Sequence, residues 1–462
     1  MDSQAPGAAP RGIEAIVIDL IWAGMLAAGA LSAFLLLTVA IRKWPVVGVV
    51  AITFNVLVAW EFPQLPAIAN VGGTSVYLLD VLSLLFIVIA LVDIKRVSAH
   101  LGALRWVWAG FGLSMLFSLI VGVVEIEVGK AVNEFRAFFY LFAALSWVVS
   151  LDWRKQSTLL LTRVPVVLGW LLVAVAAYHG VRFGFGGAGE FVDPSSGIEQ
   201  TTRPLVSGQA LVLLLCIPLT LRLWVQSASS FLLVSAIAFG AVVVVVQQRT
   251  VWAVAAAMVA AFYFSSWGKH RTKSVIAAVL IAWGALVLVT SNFAGDFVGK
   301  LIAAANDSAT YNARVTSWQN LIEQSFDKGL GTALFGAPFG SGYGRFEGVG
   351  RWVEFAPHNW YVTLFVRVGL VGTALFLFFV LGAIYRVLKS NSDVSALLVL
   401  VATLVYGWAY SVAWYTAIFL GWAVIVGRDT TRAEESKEQQ LIPLPLAQQR
   451  QLRVPIGSGE HD

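Results

Sequence analysis

The sequence predicts an all-α polytopic membrane protein with about twelve transmembrane helices and one large external loop that contains an amphipathic helix. Three observations predict it. Of 462 residues, 58% are apolar and only 12% charged, against roughly 25% charged in an ordinary soluble domain. Apolar runs long enough to cross a ~30 Å hydrocarbon core, about 20 residues each, recur along the chain. Strand-type alternation is absent, which favours helices over a barrel. A soluble fold of this size lacks the interior to hide so much apolar surface.

The spans read, in order, as 14–41, 44–60, 76–93, 104–124, 136–151, 160–178, 205–223, 229–247, 250–267, 274–292, 359–387 and 394–426. The run after Arg11 is too long for a signal-peptide core and is expected to be retained. The last run fits one tilted helix or two short ones broken near Tyr410–Tyr415. The transmembrane domain thus covers 1–427, with the loop 293–357 inserted in it and a disordered, Gln-rich tail at 428–462.

Orientation follows from lysine and arginine. One set of loops carries Arg42, Lys43, Lys95, Arg96, Arg105, Arg154, Lys155, Arg163, Arg222, Lys269, Arg271, Lys273, Arg386 and Lys389. The alternate short loops carry few. The positive-inside rule makes the first set cytoplasmic and puts 125–136, 179–204 and 293–357 outside. The lone cysteine, Cys216, lies in an apolar run, so no intrachain disulfide forms. Zinc-type spacing is absent. The outward carboxylates Glu125, Glu127, Glu134, Glu190, Asp193 and Glu199 are scattered, so no metal is expected.

Within the long loop, Tyr311, Val315, Trp318, Ile322 and Phe326 recur at helical spacing over 308–327. Ser308 or Thr310 can cap the start, and Gly329 suits the end. Arg314 and Trp318 share a face one turn apart. Trp318 suits stacking on a sugar ring, and Arg314 suits an anionic partner. A glycine-rich stretch from Gly329 to Gly350 follows, which as a backbone-amide nest would bind an anion and otherwise is simply a loop.

Three further residues draw notice. Arg249 sits where two spans meet with almost no loop, and its forked donors suit phosphate oxygens. Arg203 precedes the next span on the same side, so the pair is placed to bracket a pyrophosphate. For both, snorkelling to lipid headgroups is the competing reading. His358, after Pro357 and before Asn359, falls at a helix N-terminus facing outward. A neutral imidazole there can take a proton from a sugar hydroxyl; an interfacial histidine bonded to a carbonyl is the alternative. Arg367 reads as a charge about 13 Å deeper along the same span, paired with Asp80 or another acid.

Arg249 between packed spans, Arg314-x-x-x-Trp318, Leu334-Phe335-Gly336, Gly340-x-Gly342-x-Gly344, Pro357-His358-Asn359-Trp360-Tyr361 and Val368-Gly369-Leu370-Val371-Gly372 follow one another in the right loops. Over roughly 200–390 this pattern resembles the O-antigen ligase/polymerase superfamily of bacterial polysaccharide assembly. The resemblance implies a metal-independent, inverting glycosyltransferase without cofactor, in the bacterial inner membrane, with its active site facing the periplasm. Its partners would be an undecaprenyl-pyrophosphate-linked glycan, membrane lipids, and either lipid A–core (ligase) or a second lipid-linked glycan (polymerase). No nucleic-acid partner is implied. By carry-over Arg249, with Arg203, would hold the pyrophosphate. His358 would be base or orienter, and Asn359, Arg314 and Trp318 would lie along the substrate path. Where many relatives carry a glutamate after the His-Asn pair, this chain has Arg367. A solute transporter is the reading of another class; it would be expected to show inverted repeats and polar residues near the midplane.

Overall fold

The computed structural model describes residues 13–58, 66–71, 73–153, 163–183, 190–192, 199–201, 203–264, 279, 309–347, 350–390 and 393–426. The expected span 274–292, the tail 428–462 and the first part of the long loop lie outside the described residues, apart from position 279.

The described chain is mostly helical. In order it forms α1 (Ile13–Lys43), α2 (Pro45–Val58), a hairpin of β1 (Ala69–Val71) and β2 (Thr74–Val76), α3 (Leu78–Val92), α4 (Ile94–Leu101), α5 (Leu104–Glu125) and α6 (Val128–Ser150). Then come α7 (Val164–Phe183), a hairpin of β3 (Glu190–Val192) and β4 (Glu199–Thr201), α8 (Ser207–Ser227), α9 (Ser230–Val245) and α10 (Arg249–Phe264). The last third holds α11 (Ala309–Asp327), α12 (Leu330–Phe335), a hairpin of β5 (Arg345–Glu347) and β6 (Arg351–Val353), α13 (Trp360–Ser390) and α14 (Val394–Gly407). A final helix, α15, runs Trp414–Val426.

Among the described residues, five helices, α5, α6, α7, α8 and α13, are long and apolar enough to cross a membrane. The pair Ala28–Lys43 and Pro45–Val58 joins them if its 101° bend lies within one span. Shorter apolar helices, α3, α9, α10, α14 and α15, accompany them, as befits an all-α membrane protein.

Several boundaries differ from the sequence reading, each for a physical reason. Residues 128–135, read as loop because of Lys130, are the first turns of α6: Lys130 pairs with Glu127 at 3.1 Å, and Arg136 is neutralised by Asp80. Of the two alternatives for the last apolar run, one tilted helix or two short ones, the chain forms two helices, separated at 408–413. Among the described residues, three two-stranded β-hairpins interrupt an otherwise helical fold.

The largest correction concerns α13. It is broken at Gly369, whose φ of +64° and ψ of −168° lie outside helical space. Glycine is required there: a Cβ would stand 2.2 Å from the Leu334 carbonyl oxygen. Residues 360–368 therefore pack with the preceding loop, and Arg367 is not one turn after another down a continuous span.

Helix pairs α8–α9, α5–α13, α3–α6 and α10–α14 carry the main packing. The core is aromatic: Phe86 stacks on Trp147 at 4.3 Å, and Trp108 meets Phe142 at 4.7 Å and Phe379 at 4.5 Å. Such contacts add about 0.5–1.5 kcal/mol each beyond area burial. At one end of the bundle the cations tie helix termini together. Arg42 forks onto Asp93 at 2.9 and 3.0 Å, Arg96 donates to the Ser150 carbonyl at 2.9 Å, Arg386 donates to the Leu101 carbonyl at 2.6 Å, and Arg222 pairs with Asp393 at 2.5 Å. The other end, called the loop end below, holds the hairpins, α11, the glycine-rich stretch and His358.

Candidate functional site

The loop end is built on two ion networks rooted in the first turns of α6. In the first, Asp80 accepts from Arg136 Nε and Nη2, each at 3.0 Å, from Tyr140 at 2.6 Å and from the Tyr77 amide at 2.8 Å. Arg136 also donates to Asn133, at 3.0 Å, and to the Ser75 carbonyl, and lies over the Tyr77 ring at 4.6 Å. This ties β2, α3 and α6 into one block.

In the second, Glu134 meets the glycine-rich stretch. Its two carboxylate oxygens accept from the amides of Gly340, at 2.8 Å, and Gly342, at 2.9 Å. Arg367 Nε lies 2.8 Å from the same carboxylate. The guanidinium donates to Ser341 Oγ at 2.7 Å and to the Gly342 carbonyl, and sits 4.1 Å from the Tyr343 ring. Arg367 is fully buried. Glycine amides do form an anion nest, but the anion is the chain's own Glu134, and Arg367 pairs with Glu134 rather than Asp80. Gly340, at φ +93°, lets the backbone pass within 2.8 Å of the Ala131 nitrogen, measured from where a Cβ would stand.

The same stretch drives a wedge into the bundle. Phe339 is fully buried, edge-on to Phe135 at 5.4 Å and Phe138 at 5.1 Å. Its amide donates to the Ser118 carbonyl at 3.3 Å, and the Ala337 amide donates to the Val366 carbonyl at 2.7 Å. The wedge thereby fixes where the next residues, 343–359, emerge.

His358 emerges on that surface, exposed. Its ring lies between Phe355, at 5.8 Å, and Tyr410, at 5.7 Å. The guanidinium of Arg314 stands over Tyr410 at 5.6 Å. Arg345, fully buried, donates to Ser317 Oγ, to the Tyr343 carbonyl at 2.9 Å and to the Phe355 carbonyl at 2.7 Å, holding α11 to the strand and to the His358 turn. The protein packed around the imidazole, and then the positive charges of Arg314 and Arg345, push its pKa down to about 4. His358 is thus a neutral hydrogen-bonding group at physiological pH.

The other predicted residues fall as follows. Asn359 is buried, and its Oδ1 accepts from the amides of Tyr361, at 3.0 Å, and Val362, at 3.1 Å. It is the N-cap of α13, which orients the turn that carries His358. Trp318 is only 6% exposed and sits edge-on to Trp408 at 5.9 Å. It packs beneath the surface and does not offer a face for stacking. Arg203 and Arg249 are half-buried, and the chain segments that carry them are joined by a hydrogen bond: Gln248 Nε2 donates to the Leu205 carbonyl at 3.1 Å. Gln247 in this junction adopts φ +56°, a left-handed conformation uncommon outside glycine.

The arginine junction connects to the histidine cluster through α8 and α14. Ser207, four residues after Arg203, stands beside Tyr406. Tyr406 stacks on Tyr410 at 5.5 Å, and Tyr410 faces His358. Tyr406 and Tyr410 are the residues the sequence reading missed; their signal was the one-turn spacing of two tyrosines at the end of an apolar run. Among the described residues, no group of three or more His, Cys, Asp or Glu residues is arranged to hold a metal. Comparison with protein-family models and with curated proteins finds no match.

Proposed function

We propose that the chain is a membrane glycosyltransferase that moves a glycan from an undecaprenyl-pyrophosphate carrier to an acceptor hydroxyl. The observation that carries this reading is the tyrosine path Ser207–Tyr406–Tyr410–His358, which joins the Arg203/Arg249 junction to the histidine cluster at one end of the bundle. On this reading a donor pyrophosphate lies at the arginines and an acceptor at His358, towards the same end of the bundle.

In the reaction, the acceptor oxygen attacks the anomeric carbon as the bond from that carbon to the pyrophosphate oxygen breaks, with inversion. His358 accepts the hydroxyl hydrogen bond and takes its proton, and the polyprenyl pyrophosphate departs. Arg249 and Arg203 balance the charge that builds on the leaving group. Holding two membrane-bound substrates in register supplies the proximity term. The bound pyrophosphate also offsets the positive field of Arg314 and Arg345. His358 therefore becomes a better base once the donor is present.

We assign the loop end to the periplasmic face of a bacterial inner membrane, crossed about twelve times. The cations Arg42, Arg96, Arg222 and Arg386 gathered at the opposite end support that orientation. The acceptor is lipid A–core in the ligase reading and a second lipid-linked glycan in the polymerase reading. Reconstitution with a lipid-linked glycan donor, offering each acceptor in turn, tests the proposal. Product that disappears in His358→Ala supports it, and absence of product with both acceptors overturns it.

A further inference from the structure

Trp408 is among the exposed aromatics of the loop end. It directly follows α14 and is 54% exposed, whereas Tyr406 two residues earlier is 1% exposed. Its position is rigid. Tyr361 Oη donates to the Leu404 carbonyl at 2.5 Å, a Cβ on Gly407 would stand 3.3 Å from the Tyr361 ring, and Trp318 supports the indole edge-on. Phe355 is likewise exposed, at 46%, and its ring lies 5.8 Å from that of His358. A chain of contacts links the two exposed aromatics: Trp408 meets Trp318, one turn after Arg314 on α11, the Arg314 guanidinium stands over Tyr410, and Tyr410 meets His358, which meets Phe355.

We propose that Trp408 and Phe355 are the stacking walls of a saccharide subsite, with His358 and Arg314 as its polar contacts. A pyranose has an apolar C–H face and a rim of hydroxyls, and this surface offers an apolar face and a polar rim in the same order. Sequence reading pointed to Trp318 for this task. Trp318 is buried and serves as the support behind Trp408. The proposal rests on the glycosyltransferase reading for its place in catalysis, though the subsite itself is defined by binding.

The competing explanation for an exposed tryptophan at a helix end is anchoring in the lipid interface. Substitution separates the two: leucine keeps affinity for lipid but has no ring face, and phenylalanine keeps the face. The full-length protein in lipid nanodiscs is tested for binding of neutral and uronate-containing tri- to pentasaccharides by saturation-transfer NMR. Binding should weaken roughly tenfold in Trp408→Leu and in Phe355→Leu, and be largely retained in Trp408→Phe. Equal binding by Trp408→Leu and the unaltered protein, or no binding by the unaltered protein, overturns the subsite. A parallel transfer assay keeps the two ideas apart. Saccharide binding without transfer to either acceptor removes the enzyme reading and leaves the subsite. Transfer with an unchanged acceptor KM in Trp408→Leu removes the subsite and leaves the enzyme.

Discussion

Glu134→Gln is the sharpest probe of how the loop end is held. Arg367 is fully buried, and its one ionic partner among the described residues is Glu134 at 2.8 Å; its other contacts, to Ser341, the Gly342 carbonyl and Tyr343, are neutral. Removing the carboxylate charge leaves a buried guanidinium uncompensated, which costs about 3–5 kcal/mol. Glutamine can still accept from one of the two glycine amides, but its NH2 faces the other, and an unmet buried donor adds about 1–3 kcal/mol. Adding Arg367→Met removes the stranded charge, so the double variant should regain a large part of the loss. Two contacting residues of this kind are expected to couple by about 2 kcal/mol. The assay is built into the chain: Cys216 is the sole cysteine and is fully buried, so a thiol-reactive fluorophore reports unfolding directly. The apparent melting temperature of Glu134→Gln should fall on the order of 5 °C. An unchanged melting temperature, or a double variant less stable than Glu134→Gln, would refute the ion-pair argument.

Four further outcomes follow. Because the His358 pKa in the folded chain, about 4, lies below its ordinary 6.5, the unfolded chain binds more protons between those values. Its contribution to stability is therefore level above about pH 6.5 and is lost as pH falls towards 4; the acid limb of transfer should lie near 4 in the donor-free enzyme, and Arg314→Gln should raise it, as read from the pH profile of kcat/KM. Arg249→Lys should lose at least tenfold in transfer at normal expression, since an ammonium cannot make the forked contact; transfer at the unaltered rate removes Arg249 from the pyrophosphate site. Gly369→Ala forces a side chain to within 2.2 Å of the Leu334 carbonyl at a positive φ, and should abolish the folded protein in size-exclusion profiles, where a normal peak counts against the break. Asn359→Ala should destabilise by about 1 kcal/mol and Asn359→Asp by far less, measured with the same thiol probe, because the role is a cap; equal losses would point to a different role.

The helices were legible because lipid imposes a simple rule on composition, and α11 was legible because an amphipathic face has a fixed period. What escaped was set by partners distant in sequence. Glu134 looked like one of several scattered outer carboxylates; only the fold brings it to Gly340 and Gly342, 206 and 208 positions on. Gly369 looked like one more glycine in an apolar run, and its break depends on Leu334 lying against it. Trp318 and Trp408 have equal claims as sequence, and burial alone separates them. His358 and Arg314 were singled out by residue type and local context, but Tyr410, the ring between them, sits at a helix end where aromatics are ordinary.

The break at Gly369 also sets the natural seams of the molecule. The glycine-rich stretch and Arg367, on the near side of the break, meet Ser118, Gly122 and Glu134 on α5 and α6. Anyone wishing to transplant the long loop between chains should not cut at the ends of the visible loop. A graft that carries positions 118, 122 and 134 along with 309–368 keeps the anchor points of the glycine-rich stretch, and one that omits them installs a wedge without its socket.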